Sequence, residues 1–356
     1  MNILLPDLPA ATAHPIDTLR AASAVSEALA QRLAAEHYGL IAAVHRLDSE
    51  RDQNFRLRSL SSREYVLKIA SPAEDRAVTN LQTEALLHLA ATAPDLPVPR
   101  IFPAHNGMTE LDVTFEDGSA RVVRLLSFLP GTPMHAVTGS ATLRRDLGRC
   151  AARLARGLSD FSHGGANHKL LWDLQHSAEL RPLMDAVPAE RRGLVEDALG
   201  GFEAHALPIL AQLPTQPVHN DLNPHNIVVD PDSHVCVAGI IDFGDLTCTA
   251  RANDLSIAAA YLVADSDDPL SPACEMIAAY HAVLPLVSAE LGILSDLIAT
   301  RMAMTVVISS WRAARYPANR NYILRNHETA WARLQRMAKL SRDQARAQIE
   351  RACRGE

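Results

Sequence analysis

The sequence predicts an α+β fold in two lobes, a small antiparallel-sheet lobe followed by a mostly helical one. Three observations carry this expectation. Alternating apolar and polar residues, with one helical stretch among them, fill the chain from Leu40 to Leu129. Helical spacing dominates from about residue 140 onward. The run Leu129-Pro130-Gly131-Thr132-Pro133 separates the two patterns. A chain of 356 residues is too long for one compact core and suits two lobes. The expected division is 1–129, with 1–38 as a helical extension, and 130–356.

Each element has its own signal. Leu19, Ala22, Val25, Leu29 and Leu33 recur at helical spacing, so a helix is expected over about 16–38. Leu40 to Leu47, Phe55 to Leu60 and Arg63 to Ala70 read as three short antiparallel strands. A helix at about 74–92 places Leu81, Ala85, Leu86 and Leu89 on one face. Strands at 109–115 and 120–129 flank the turn Glu116-Asp117-Gly118-Ser119. The second lobe is expected to carry helices at about 140–161, 176–186, 189–212, 251–264, 271–284, 288–315 and 320–351. The exception is 217–243, a polar loop with two apolar runs, Asn226–Asp230 and Val235–Ile241.

Composition narrows the class. Hydrophobic residues make up 48% and charged residues 21%, a globular profile. The net charge of −7 offers no general attraction to nucleic acid. No apolar run approaches the roughly 18 residues of a bilayer span, and the first residues lack a basic region before an apolar core. No membrane association or secretion is therefore expected. Five scattered cysteines without a Cys-x-x-Cys pair point to reduced thiols in a cytoplasm. From Arg301 onward eleven Arg and one Lys face four acids. That excess reads either as a solvated helical face or as an anion-binding wall.

The chemistry concentrates in Val218-His219-Asn220-Asp221-Leu222-Asn223-Pro224-His225-Asn226, followed after two apolar runs by Asp242-Phe243-Gly244-Asp245. A hairpin between the runs brings Asp221, Asn226 and Asp242 to one edge. Phosphoryl transfer calls for such a set: a carboxylate to orient a hydroxyl and take its proton, and oxygen donors for Mg²⁺. His-x-Asp-Leu-x-x-x-Asn and Asp-Phe-Gly match the catalytic and metal-binding loops of kinases, with Asp221 and His219 in the first and Asn226 and Asp242 as metal ligands. Upstream, Lys68 ends a strand and Glu84 lies on the next helix, the arrangement by which kinases grip nucleotide phosphates.

With these residues in hand, the chain resembles the aminoglycoside phosphotransferase and choline kinase-like superfamily from about residue 40 to 335. Glu50 to Phe55, Arg124 to Gly131, Leu170 to Leu174 and His219 to Asp221 are similar to hydroxylysine kinase. The resemblance implies a bilobal, protein-kinase-like fold, with a nucleotide-binding first lobe and a catalytic and substrate-binding second lobe. It also implies Mg²⁺, ATP or GTP as phosphoryl donor, and a small-molecule hydroxyl acceptor. Such domains also occur fused to pyridoxal-phosphate aminotransferases, a partner absent from this sequence. The missing Ala-Pro-Glu motif disfavours a protein kinase. The phosphate-covering loop departs from the pattern, with Ser49 where relatives often carry glycine. Ser49 or Arg51 would assist phosphate binding there, or Arg51 is a solvated turn residue.

The remaining assignments keep alternatives. Backbone groups of Ser127, Phe128 and Leu129 are placed to read a nucleotide base. Asp245 binds metal or a substrate ammonium, or caps the helix near Arg251. Trp172 is a core residue or faces the acceptor; Asp173 is a helix cap or an ammonium contact. Arg301 packs, or meets a carboxylate. The acceptor class expected is an amino-alcohol or hydroxy-amino acid. The competing readings are an antibiotic phosphotransferase, whose polycationic substrates call for an acidic cleft, and a non-catalytic nucleotide-binding module, which would have lost Asp221, Asn226 or Asp242.

Overall fold

A computed structural model describes residues 23–49 and 51–356, so Leu19, Ala22 and Glu50 lie outside the described residues. The chain forms two compact units. One runs to Pro130 and includes Phe161–His168 and Gly239–Gly244; the other holds Gly131–Asp160, Lys169–Ala238 and Asp245–Glu356.

The first unit opens with helix α1, Glu27–Tyr38. Ser26 caps it by accepting from the Leu29 N–H, and Gly39 ends it in the left-handed region at φ 63°. Strands β1 (Ala42–Leu47), β2 (Gln53–Ser59) and β3 (Glu64–Ile69) precede helix α2 (Arg76–Thr92), whose cap is Asp75. Strands β4 (Ile101–Phe102), β5 (Leu111–Thr114) and β6 (Ala120–Ser127) complete the sheet, in the order β1-β2-β3-β6-β4 with β5 also on β6. The five pairings of this sheet are antiparallel; Asn54 faces Lys68, and Lys68 faces Arg124. Strand alternation sorts the side chains. Phe55, Leu57, Leu67, Ile69, Val123 and Leu125 form the core with Ala30, Leu33 and Ala34 of α1. Lys68 and Arg124 alternate with those core residues. Buried Arg124 donates to the Thr79 carbonyl, Thr83 Oγ1 and Gln82 Oε1 of α2.

The second unit begins with β7 (Thr132–Pro133) and helix α3 (Ala141–Gly157). A 3₁₀ stretch, Leu174–Ala186, leads to α4 (Ala189–Gly201) and α5 (Leu207–Leu210). The single helix expected over 189–212 is interrupted by a π turn at Phe202–Ala206, where the Leu207 N–H reaches back to the Phe202 carbonyl. Pro208 follows directly; it lacks an N–H and crowds the preceding turn, so the widened turn accommodates it. Strands β8 (Thr215–Val218), β9 (Ile227–Val229), β10 (Val237–Ile240) and β11 (Thr247–Ala250) come next, and the chain passes back to the first unit within β10. β7 pairs with β9, and β8 with β11, all antiparallel.

Helices α6 (Arg251–Ala260), α7 (Ser271–Val283), α8 (Ser288–Arg315), α9 (Arg320–Ile323), α10 (His327–Met337) and α11 (Arg342–Arg354) finish the chain. The helix expected over 320–351 is three. Ser341 and Gln344 form a reciprocal capping box that starts α11 afresh. At Gly148 a Cβ would come within 2.2 Å of the Met276 carbonyl oxygen, so α3 and α7 approach closely only because the residue is glycine. Helix α8 is long and apolar enough to cross a bilayer, contrary to the expectation that no run approaches that length. However, 83% of its apolar window is buried in the protein, which makes it a core helix.

Candidate active site

The loop that carries Asp221 hangs from the end of β8. Asn220 takes φ 63°, a left-handed conformation that costs a non-glycine residue about 1–3 kcal/mol. It is held there by Asp254 of α6, which accepts the Asn220 N–H at 2.8 Å. Burial pushes the Asp254 carboxyl up to about 6, against the opposing pull of His219 and the loop's backbone N–H groups. His219 is fully buried, and its Nδ1 accepts the N–H of Asp221 at 3.2 Å. It therefore shapes the loop, which corrects its expected place among the groups acting on substrate.

Asp221 is held from both sides. Its Oδ2 accepts from Asn223 Nδ2 and from Asn226 Nδ2, each at 2.7 Å. Its Oδ1 lies 3.2 Å from Nη2 of Arg301. The Asn226 nitrogen also donates to the Asp221 carbonyl at 3.1 Å, which orients the amide and leaves Oδ1 as the oxygen for a hard cation.

Arg301, on α8, is only 3% exposed. Nη1 donates to the Trp172 carbonyl at 3.3 Å, and the guanidinium stands 5.0 Å from the Trp172 ring centroid. Burial alone would lower its pKa, but Tyr261, Asp221 and Asp245 together hold it above the ordinary value. The expectation that Arg301 meets a substrate carboxylate is corrected, because its Nη atoms are already committed within the protein.

In the first unit, Lys68 Nζ lies 3.2 Å from Asp52 Oδ2 and 3.3 Å from Asp242 Oδ1. Burial would lower its pKa, but the carboxylates of Asp242 and Asp52 outweigh this and raise it. Asp242 stands at φ 61° and its Oδ1 accepts the Gly244 N–H at 3.3 Å. A Cβ on Gly244 would come within 3.1 Å of both Arg51 Nη2 and Asp242 Oδ1, so the turn is tightly packed and Arg51 lies over it. Ser49 is exposed.

Two further expectations change here. Glu84 does not pair with Lys68: it is exposed, because α2 turns Leu81, Gln82, Ala85 and Leu86 inward, and Gln82 meets Arg124 instead. The N–H groups of Ser127 and Phe128 already donate to the carbonyls of Arg100 and Glu64. Among the described residues only Leu129, of these three, has an amide and carbonyl without a partner.

In the second unit, Asp173 is completely buried and caps the following 3₁₀ stretch, its Oδ1 accepting the Gln175 N–H at 3.0 Å. Burial raises its pKa, and the ammonium contact gives way to the cap. Asp245 does not cap α6, since β11 intervenes and Ala250 occupies that position; it belongs to the field around Arg301. Trp172 is half-buried under Arg301. Thus Asp221, Asn226, Arg301 and Trp172 come together in one unit, and Lys68, Asp242 and Arg51 in the other. The sequence reading missed Asp52 and Asp254. Asp52 was given no role in the loop before β2, and Asp254 carries no signal beyond that of an acid in the first turn of a helix.

Residues 43–289 match the phosphotransferase enzyme family. The chain is 28% identical over 342 residues to the hydroxylysine kinase of Xenopus laevis, covering 90% of this chain and 91% of that protein. It is 27% identical over 351 residues to the hydroxylysine kinase of Mus musculus, covering 92% and 91%. In fold it is similar to a microcompartment-associated aminopropanol kinase (TM-score 0.67, 16% identity, 92% of this chain and 99% of that one). An amicoumacin kinase in complex with AMP-PNP, Ca²⁺ and Ami gives a TM-score of 0.62 at 16% identity, covering 86% and 94%. The expected α+β, kinase-like fold is thereby borne out, and the chain belongs to the phosphotransferase enzyme family, as a small-molecule kinase.

Proposed function

We propose that this kinase transfers the γ-phosphoryl group of ATP or GTP to the hydroxyl of a hydroxy-amino acid of the 5-hydroxylysine class. The observation that carries the reading is Asp221, a carboxylate fixed by Arg301, Asn223 and Asn226. Its likeness to hydroxylysine kinases along some nine-tenths of both chains supports the acceptor class.

In this reading Asp221 accepts the hydrogen bond of the acceptor hydroxyl and takes its proton. The acceptor oxygen bonds to the γ-phosphorus as the bond from that phosphorus to the β–γ bridging oxygen breaks. Lys68 neutralises donor phosphates, with Asp52 keeping its ammonium in place. The oxygen donors fit Mg²⁺, which keeps several waters and takes one or two protein carboxylates or amides. Asn226 offers Oδ1, and the Asp242 side chain is 54% exposed. Bound Mg²⁺ would supply charge neutralisation on the phosphates. Leu129 offers its backbone to the base. A cytoplasmic setting suits a reaction that consumes nucleoside triphosphate, and the described cysteines are all unpaired.

The test is diphosphate release from 5-hydroxylysine, homoserine, ethanolamine, choline and an aminoglycoside, each with ATP and with GTP. The highest kcat/KM is expected for 5-hydroxylysine. An aminoglycoside as the best acceptor would overturn the acceptor class and leave the kinase chemistry standing.

A further inference from the structure

With Arg301 committed to Asp221, another cation must meet an acceptor's carboxylate, and the second unit holds one. Arg333 on α10 is half-buried. Its Nε donates to the Val263 carbonyl at 3.2 Å, and its guanidinium stands 5.8 Å from the Tyr261 ring centroid. Among the described residues no carboxylate pairs with it, and its two Nη atoms have no hydrogen-bond partner. Nearby arginines differ: Arg336 pairs with Asp265 at 2.7 Å and Arg342 with Asp296 at 2.9 Å. Burial holds the Arg333 pKa below its ordinary value, which Tyr261 only partly opposes.

This uncompensated cation lines a small cleft with Tyr261, Arg301, Thr305 and Asn326. The cleft is small, about 220 Å³ including the part open to solvent, so it suits the end of a ligand rather than a whole molecule. Its wall is short of negative charge. Arg301 presents a buried Nε that has no partner among the described residues. Thr305 directs its hydroxyl hydrogen to the Arg301 carbonyl at 3.0 Å. The same Arg301 reaches Asp221 through Nη2, so the cleft and the catalytic carboxylate share one guanidinium.

We propose that this cleft is the carboxylate subsite for the acceptor, with Arg333 as its anionic contact through the two Nη atoms. A planar carboxylate matches that edge of a guanidinium and supplies the charge that Arg333 lacks. The proposal rests on the hydroxy-amino-acid reading above and names the residue that selects for it.

The experiment compares wild-type enzyme, Arg333→Met and Arg333→Lys on 5-hydroxylysine and on its decarboxylated analogue. Nucleotide affinity and melting temperature serve as controls for folding. Wild type is expected to favour 5-hydroxylysine by about ten- to hundredfold in kcat/KM, the scale of one charge-assisted contact. Arg333→Met should collapse that preference through a higher KM for 5-hydroxylysine, and Arg333→Lys should retain part of it. An undiminished preference in Arg333→Met overturns the subsite while leaving the acceptor class intact. If wild type phosphorylates neither compound, the acceptor class fails, and calorimetry with L-lysine and cadaverine then decides the subsite separately. L-lysine binding that disappears in Arg333→Met supports it; no L-lysine binding to wild type overturns it.

Discussion

Arg301 and Asp221 form a 3.2 Å ion pair in which the arginine is almost fully buried and the aspartate is a fifth exposed. The Asp221 carboxylate is thus clamped rather than left to wander, and its clamp is anchored on the Trp172 carbonyl and ring. Arg301→Met should lower kcat about ten- to hundredfold, as one hydrogen-bonded charge contact is lost. Nucleotide affinity, measured by calorimetry, should stay near wild type. Arg301→Lys should recover part of the rate. A kcat equal to wild type in the methionine variant would show that the clamp is idle.

Asp221 itself is expected to matter more. Asp221→Asn removes the proton acceptor while keeping shape, and turnover should fall by at least ~100-fold with nucleotide binding nearly intact. Single-turnover measurements make the check, and a phosphoryl-transfer step of ordinary speed would remove Asp221 from the role of base.

The acid that pairs with Lys68 and the acid expected to do so give a contrast. Asp52 lies 3.2 Å from Lys68 Nζ, whereas Glu84 is exposed on α2. Asp52→Asn should raise the nucleotide KM several-fold, on the order of a charge-assisted contact. Glu84→Gln should leave KM and stability within the small range usual for surface changes. The reverse ranking would restore the strand–helix pair inferred from sequence.

Asp242 is expected to be needed for metal-dependent binding. In Asp242→Ala the affinity for nucleotide with Mg²⁺ should fall toward the affinity without it, because the carboxylate that balances the cation is gone. Calorimetry at fixed nucleotide with and without Mg²⁺ is the measurement, and equal enhancement in both proteins would exclude the metal role.

Asp254 gives a pH signature. Its folded-state pKa is raised to about 6, above the ordinary carboxylate value of about 4. Between those values the folded state holds a proton that the unfolded state has released. Stability from this group is therefore full below about 4 and is lost as pH rises through about 6. Asp254→Asn should flatten that part of the stability-versus-pH curve, measured by urea unfolding from pH 4 to 7. An unchanged slope would mean that Asp254 is ionised in the folded protein throughout.

The sequence by itself determined the chemistry. Asp221, Asn226 and Asp242 stood out because phosphoryl transfer demands those residue types at a local spacing, and the bilobal fold followed from periodicities that each span a few residues. Lys68 was legible because it ends a strand whose alternate neighbours, Leu67 and Ile69, face the core. Tertiary structure decided the partners. Asp52 reaches Lys68 across paired strands, Asp254 reaches Asn220 from a helix 34 residues on, and Arg301 reaches Asp221 across 80 residues of chain. It also turned Glu84 to the surface, since one residue's shift along a helix rotates a side chain by about 100°. Periodicity fixes which face of an element is buried, but a charge finds its counter-ion through space, where separation along the chain carries no information.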